Sequence, residues 1–193
     1  MIKTFVEIGA CDFGNNDSLL KEGWVGHFVE PVPVFAQSLQ NKLRQTHGLL
    51  AHNAKVHQCA ISSYDGLAKM QHVNPNTNNW QQWVRGIGNV IGYAKNPIDT
   101  RGDFERDHIV NIDVVCYTLD TFFKNIGVDS VDLLQIDTEG HELDILENYS
   151  WCIKPKRMVV EHMWCGRGPL QVILERAGYT CTADGEDIFA ELN

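Results

Sequence analysis

Val131-Asp-Leu-Leu-Gln-Ile-Asp-Thr-Glu-Gly-His-Glu-Leu-Asp-Ile-Leu-Glu147 decides the fold. Its first part, Val131 to Ile136, is a short run of mostly apolar residues. An acidic turn, Asp137-Thr-Glu-Gly140, follows, and Leu143, Leu146 and Tyr149 then share one helical face. The order is strand, turn, helix. A strand that is apolar at nearly every position is covered on both faces, which points to a parallel sheet. Ligands of such sheets bind beyond the carboxyl ends of the strands, where Asp137, Glu139 and His141 fall.

The same alternation extends to both sides of this segment. Thr4-Phe-Val-Glu-Ile8 predicts a buried first strand, and Gly9 to Gly14 a turn. Asn15 to Ser18 can cap a short helix that stops at Gly23. Trp24 to Val29 predicts a second strand ending at Glu30. Pro31 and Pro33 then start a helix with Phe35, Leu39 and Leu43 on one face. His57 to Ile61 predicts a third strand, and Asp65-Gly66 is a turn signal. Ile109 to Cys116 has β character. Thr118 can cap a helix striped by Leu119, Phe122, Phe123 and Ile126. Downstream of the opening segment, Arg157 to Val160 predicts a strand ending at Glu161-His162. Pro169 opens a helix closed by Gly178, and Asp184-Gly185 joins a terminal hairpin. The sum is an α/β, doubly wound sheet with right-handed crossovers.

Residues 74–108 break the alternation. The stretch begins with the polar Asn74-Pro-Asn-Thr-Asn-Asn79 and is rich in glycine, yet it carries Trp80, Trp83 and Tyr93. A long irregular segment inside a compact domain predicts a lid or binding loop. Its aromatics can stack on a sugar face or equally pin the loop to the core. Arg85 and Arg101 can bind an anionic group.

The totals set outer limits. The chain has 193 residues, 44% of them hydrophobic, and a formal charge of -9. That balance suits one soluble globular domain and disfavours general nucleic-acid binding. Six cysteines without a C-x-x-C pair read as reduced core thiols, and no zinc site is expected. The sequence carries no signal peptide and no run long enough to span a bilayer, so a cytoplasmic location is the default expectation.

Two features bear on the ligand. Glycines in Glu7-Ile-Gly-Ala-Cys-Asp-Phe-Gly14 let a ligand approach the backbone, and amides at the following helix start can hold an anion. Glu30, 16 residues after Gly14, stands where an acid accepts ribose hydroxyls. The turn lacks G-x-G-x-x-G, and the charge of Glu7 would repel a diphosphate. A donor with an amino group and a sulfonium, such as S-adenosylmethionine, suits that charge.

Four segments together resemble the FkbM-type S-adenosylmethionine-dependent methyltransferases. They are Phe5 to Gly14, Phe28-Val-Glu-Pro-Val-Pro33, Tyr117-Thr-Leu-Asp-Thr-Phe122 and Val131 to Leu146, of which the I-D-x-E-G-x-E segment is the most specific. The resemblance implies a Rossmann-like, seven-stranded methyltransferase sheet of order 3-2-1-4-5-7-6, with strand 7 antiparallel. It forms a single domain over residues 1–193, with an insertion or lid at about 74–108. It implies that the methionine part of the cofactor lies over Glu7, Gly9, Ala10 and the helix start Asn16, Asp17 and Ser18. Glu30 would hold the ribose, Cys59, Ala60 and Ile61 would border the adenine, and Asp137 would face the methionine or the methyl group. The glycine turn is one residue longer than the common G-A-N-x-G form, and Cys11 and Asp12 within it are counted with the cofactor residues.

The family mostly methylates hydroxyls of sugars and other small metabolites, so the resemblance implies a small-molecule acceptor such as a sugar. Attack by a hydroxyl needs its proton removed, and Glu139, His141 and His162 are the candidate bases. Glu139 and Glu142 can instead serve only the helix dipole, and His162 can be a core histidine. Asp137, Glu139 and His162 could hold a divalent cation, but their spacing gives no clear ligand set and no metal is expected. Trp80, Trp83, Arg85 and Tyr93 are the candidate acceptor residues. Two other classes compete with methyl transfer: an NAD-dependent oxidoreductase, and a non-catalytic binding protein on the same fold.

Overall fold

A computed structural model describes residues 2–74, 88–90 and 108–193. Its main sheet contains β1 (Thr4–Ile8), β2 (Val25–Val29), β3 (Ala54–His57), β8 (Leu133–Ile136), β9 (Arg157–Glu161), β10 (Tyr179–Asp184) and β11 (Asp187–Leu192). The strands lie in the order β10-β11-β9-β8-β1-β2-β3. With β8 to β11 counted as the fourth to seventh strands, this is the expected order 3-2-1-4-5-7-6. Strand β11 runs antiparallel to both β9 and β10, so it sits one place in from the edge. The central strand β1 is parallel to β2 on one side and β8 on the other. Phe5, Val6 and Ile8 are accordingly buried on both faces of it.

Helices cover the two faces. On one, α1 (Pro33–His47) buries Phe35, Ala36, Leu39 and Leu43, with Pro33 opening the helix as its fixed φ allows. Leu39 and Leu43 join Phe5, Phe28 and Leu20 in one cluster. The Phe5 and Phe28 rings meet edge to face at 5.2 Å. This contact needs Gly26, because a Cβ there would come within 2.3 Å of the Phe5 ring.

On the other face, α2 (Leu119–Ile126), α3 (Glu142–Glu147) and α4 (Arg167–Arg176) pack Phe122, Phe123, Ile145, Leu146, Leu170 and Leu174 against Val6, Leu134 and Val160. Thr118 caps α2 as expected, its side chain accepting from Thr121 N at 3.2 Å. Truncating a fully buried ring such as Phe122 to alanine would cost about 3–5 kcal/mol, through lost transfer energy and the cavity left behind.

A second sheet, β4-β7-β5-β6, departs from the sequence reading. The expected third strand is split: β3 ends at His57, and Ala60–Ile61 forms β4, which pairs with the end of β7 (Ile109–Tyr117). Strand β5 (Gly66–Val73), masked in the sequence by its turn-like start, runs antiparallel to β7 from Gly66↔Cys116 to Val73↔Ile109. The ladder closes with Asn74 N donating to His108 O at 2.7 Å. Strand β6 (Gly88–Val90) pairs with β5 and falls within the segment read as irregular. The expected acceptor residues Trp80, Trp83, Arg85 and Tyr93, and with them Arg101, lie outside the described residues. Among the described residues, no helix is long and apolar enough to cross a membrane.

Candidate active site

The carboxyl ends of β1, β2, β8 and β9 open onto a cavity of about 490 Å³, within the usual range for small-molecule sites. The main sheet supplies Gly9, Glu30, Asp137, Thr138, Glu139, His141 and Glu161 to its wall. The second sheet supplies Ala60, Ile61, Met70 and Val90. The two ladders therefore meet around one space.

Glu7 organises the turn after β1. It is 1% exposed. Its carboxylate accepts Asn15 N at 2.6 Å, Asn16 N at 2.9 Å and Asn16 Nδ2 at 2.9 Å. The same Asn16 amide reaches Gln135 Oε1 on β8 at 2.6 Å. Burial raises the pKa of Glu7, and the Asn15 and Asn16 donors oppose that shift. Gly9 sits at φ +82°, and a Cβ on it would fall 1.6 Å from Asp137 O. The glycine lets the β1 turn pass against the end of β8.

Glu30 is 5% exposed at the end of β2. Its Oε2 accepts Cys11 N at 2.9 Å and its Oε1 accepts Val32 N at 2.7 Å. Cys11 reaches this position through a left-handed backbone, φ +48°. Burial pushes the Glu30 carboxyl up to about 7, against the pull of the Val32 and Cys11 amides. Each oxygen keeps lone-pair capacity for a further donor.

The acidic turn after β8 is held by Glu142, 0% exposed. Its carboxylate accepts Thr138 N at 2.7 Å, Thr138 Oγ1 at 2.8 Å, Gly140 N at 3.1 Å and Cys165 Sγ at 3.0 Å. These bonds fold the turn so that Glu139 takes a left-handed conformation, φ +55°. Trp164 Nε1 donates to Glu139 Oε2 at 2.9 Å. A non-glycine residue held in this region costs about 1–3 kcal/mol and persists only where its surroundings impose it. Asp137 is pushed up to about 8, first by burial and then by Glu139, Glu142, Asp187 and Glu7. His141 is buried, with Nε2 3.1 Å from Ser62 Oγ and Nδ1 3.7 Å from Asp144 Oδ2. Burial pushes it down to about 4, so it is neutral at physiological pH.

Of the cofactor residues expected from the sequence, Gly9, Cys11, Glu30, Cys59, Ala60, Ile61 and Asp137 line the cavity. Glu7, Ala10, Asp12, Asn16, Asp17 and Ser18 stand behind or beside it. Asp17 faces His47, with 3.1 Å between Asp17 Oδ2 and His47 Nε2. Of the candidate bases, Glu139 and His141 line the cavity and His162 does not; its neighbours Glu161 and Met163 do. The sequence reading passed over Glu161, Glu186, Met70 and Val90. Glu161 was visible only as the acid ending a strand. Glu186 stands beside it because β11 pairs with β9 through Asp187↔Glu161.

Comparison with known proteins accords with this architecture. The methyltransferase FkbM from Methylobacillus flagellatus KT superposes with a TM-score of 0.57 at 18% identity, covering 98% of this chain and 43% of that one. An O-methyltransferase family protein from Burkholderia thailandensis gives 0.52 at 7% identity, covering 99% and 51%. At such identities the likeness concerns the fold. This chain spans about half the length of these solved structures. Comparison with the curated proteins finds no match. The sequence model of the methyltransferase FkbM domain matches residues 7–181, most of the chain, and the chain therefore belongs to the FkbM methyltransferase family.

Proposed function

We propose that this chain transfers a methyl group from S-adenosylmethionine to a hydroxyl of a sugar or another small metabolite. The observation that carries this reading is the cavity wall, with Glu30 at the end of β2, Cys59 to Ile61 beside it and Asp137 at the end of β8. The residues present fit that donor. Glu30 has lone pairs left for two vicinal hydroxyls, and the apolar edge of Ala60 and Ile61 suits a flat base. When bound, the donor supplies a methyl carbon already activated by positive sulfur.

The chain supplies alignment, exclusion of water and a place for a proton. Asp137, buried among other acids, ionises more readily beside a positive charge and so favours the sulfonium form. Glu139, fixed by Trp164, takes the hydroxyl proton as attack proceeds. His141 stays neutral and anchors the turn to Ser62.

Calorimetry with S-adenosylmethionine and its demethylated product tests the donor site. One equivalent should bind per chain, and Glu30→Ala should weaken binding about 30-fold, the effect of losing hydrogen bonds to a buried charged group. Absence of binding, or a Glu30→Ala protein that binds as well as the wild type, sinks the reading.

A further inference from the structure

Beyond the donor site, the cavity wall gathers several carboxyls. Asp137, Glu139, Glu161 and Glu186 all line this end. Glu161 is 7% exposed, and its Oε2 has no hydrogen-bond partner among the described residues. A buried carboxyl oxygen without a donor carries a desolvation cost that a native structure retains only for a reason. The contrast with its neighbour is local, since Glu142 accepts from Thr138 N, Thr138 Oγ1, Gly140 N and Cys165 Sγ.

Position in the sheet says which ligand this end serves. Glu30 is at the end of β2, and Glu161 is three strand steps away, across β1 and β8 to β9. At about 4.8 Å per step the two acids are about 14 Å apart. Asp137 lies between them. The group beyond Asp137 therefore faces the acceptor, while Glu30 faces the nucleoside. Glu186, exposed in the turn between β10 and β11, stands at the mouth on the same side.

We propose that the acceptor carries a protonated amine, and that this ammonium sits on Glu161 and Glu186 while a neighbouring hydroxyl receives the methyl group. This deepens the methyltransferase reading and rests on it. An ammonium offers three donors and a positive charge. It satisfies Glu161 Oε2, and it relieves the mutual repulsion through which Asp137, Glu142, Glu139 and Glu186 add to the effect of burial in raising Glu161 to about 10. A chain of formal charge -9 also draws a cation toward this mouth. The ammonium is an anchor and does not react. Among the described residues, no group of carboxylates, histidines and cysteines is arranged to hold a metal ion, which favours an organic cation over an inorganic one.

The test uses the full chain loaded with the demethylated cofactor, titrated calorimetrically with glucosamine and its positional amino isomers, and with glucose. At least one amino sugar should bind about tenfold more tightly than glucose. Glu161→Gln and Glu186→Gln should each reduce that ratio toward one and leave cofactor affinity unchanged. Glu186→Gln alters an exposed side chain and guards against a folding artefact. Equal binding of amino and parent sugars, no binding of any of them, or a preference untouched by both substitutions overturns the proposal. A Glu161→Gln protein that loses cofactor affinity instead also overturns it, because the cation is then the donor's own. Failure of the cofactor to bind wild-type protein removes the methyltransferase reading itself; cofactor binding without amine preference removes only this inference.

Discussion

Glu142 and Glu161 are two carboxyls buried almost equally, 0% and 7% exposed, at the same end of the sheet. The first receives hydrogen bonds from Thr138, Gly140 and Cys165. The second has an oxygen with none among the described residues. Burial alone therefore does not say what an acid is for. The donors around it do. Glu142 has its hydrogen-bonding capacity taken up by the fold, as does Glu7 against Asn15 and Asn16. Glu161 is left with capacity for something that is not part of the fold.

The sharpest way to break this contrast is Glu142→Ala. It strands the Thr138 and Gly140 amides in a buried turn, and stability should fall by about 3 kcal/mol in urea unfolding. A loss under 1 kcal/mol would mean that the turn holds itself.

Glu161→Gln should act in the opposite direction. Glu161 is raised from 4.5 to about 10, so between these values the folded state binds more protons than the unfolded state. Stability must then decline as pH rises through that window. Asp137, raised to about 8, and Glu30, raised to about 7, add to the same slope. Removing the Glu161 share should flatten the decline and stabilise the ligand-free protein by about 2 kcal/mol at mildly alkaline pH, read as a shift in the thermal midpoint. A steeper slope in the variant would place Glu161 with Glu142 among the satisfied acids. The smallest effect expected is that of Cys165→Ala. It removes a single weak donor from Glu142 and should cost about 1 kcal/mol with no change in the pH slope.

The sequence made the Glu30 and Asp137 side of this cavity easier to read than the Glu161 and Glu186 side. Parallel strands leave continuous apolar runs, and the acids that end them, Glu30 and Asp137, stand out at fixed places in a repeating unit. What the sequence hid were partners that only the fold brings together. Glu7 was legible as an acid at the end of β1, but the donation of Asn15 and Asn16 to its carboxylate is seen only in the folded turn. The glycine at position 9 makes room for Asp137, 128 residues away in the chain. Strand β5 was passed over because Leu67 and Lys69 face outward while Ala68, Met70 and His72 face in, behind a turn signal at Asp65-Gly66. Glu161 could not be told from an ordinary strand-ending acid until β11 brought Glu186 alongside.

The long antiparallel pairing of β5 with β7 has a consequence for how such proteins diversify. Its last bond, from Asn74 to His108, places the two ends of the intervening segment side by side. Closing a longer loop between fixed ends costs only about 0.6 kcal/mol for each doubling of length. A change in the length of the chain between these ends is therefore tolerated as long as β6 keeps its pairing with β5 and Val90 its place in the core. The hydrogen-bonded pair acts as a ready-made splice junction that leaves the main sheet untouched.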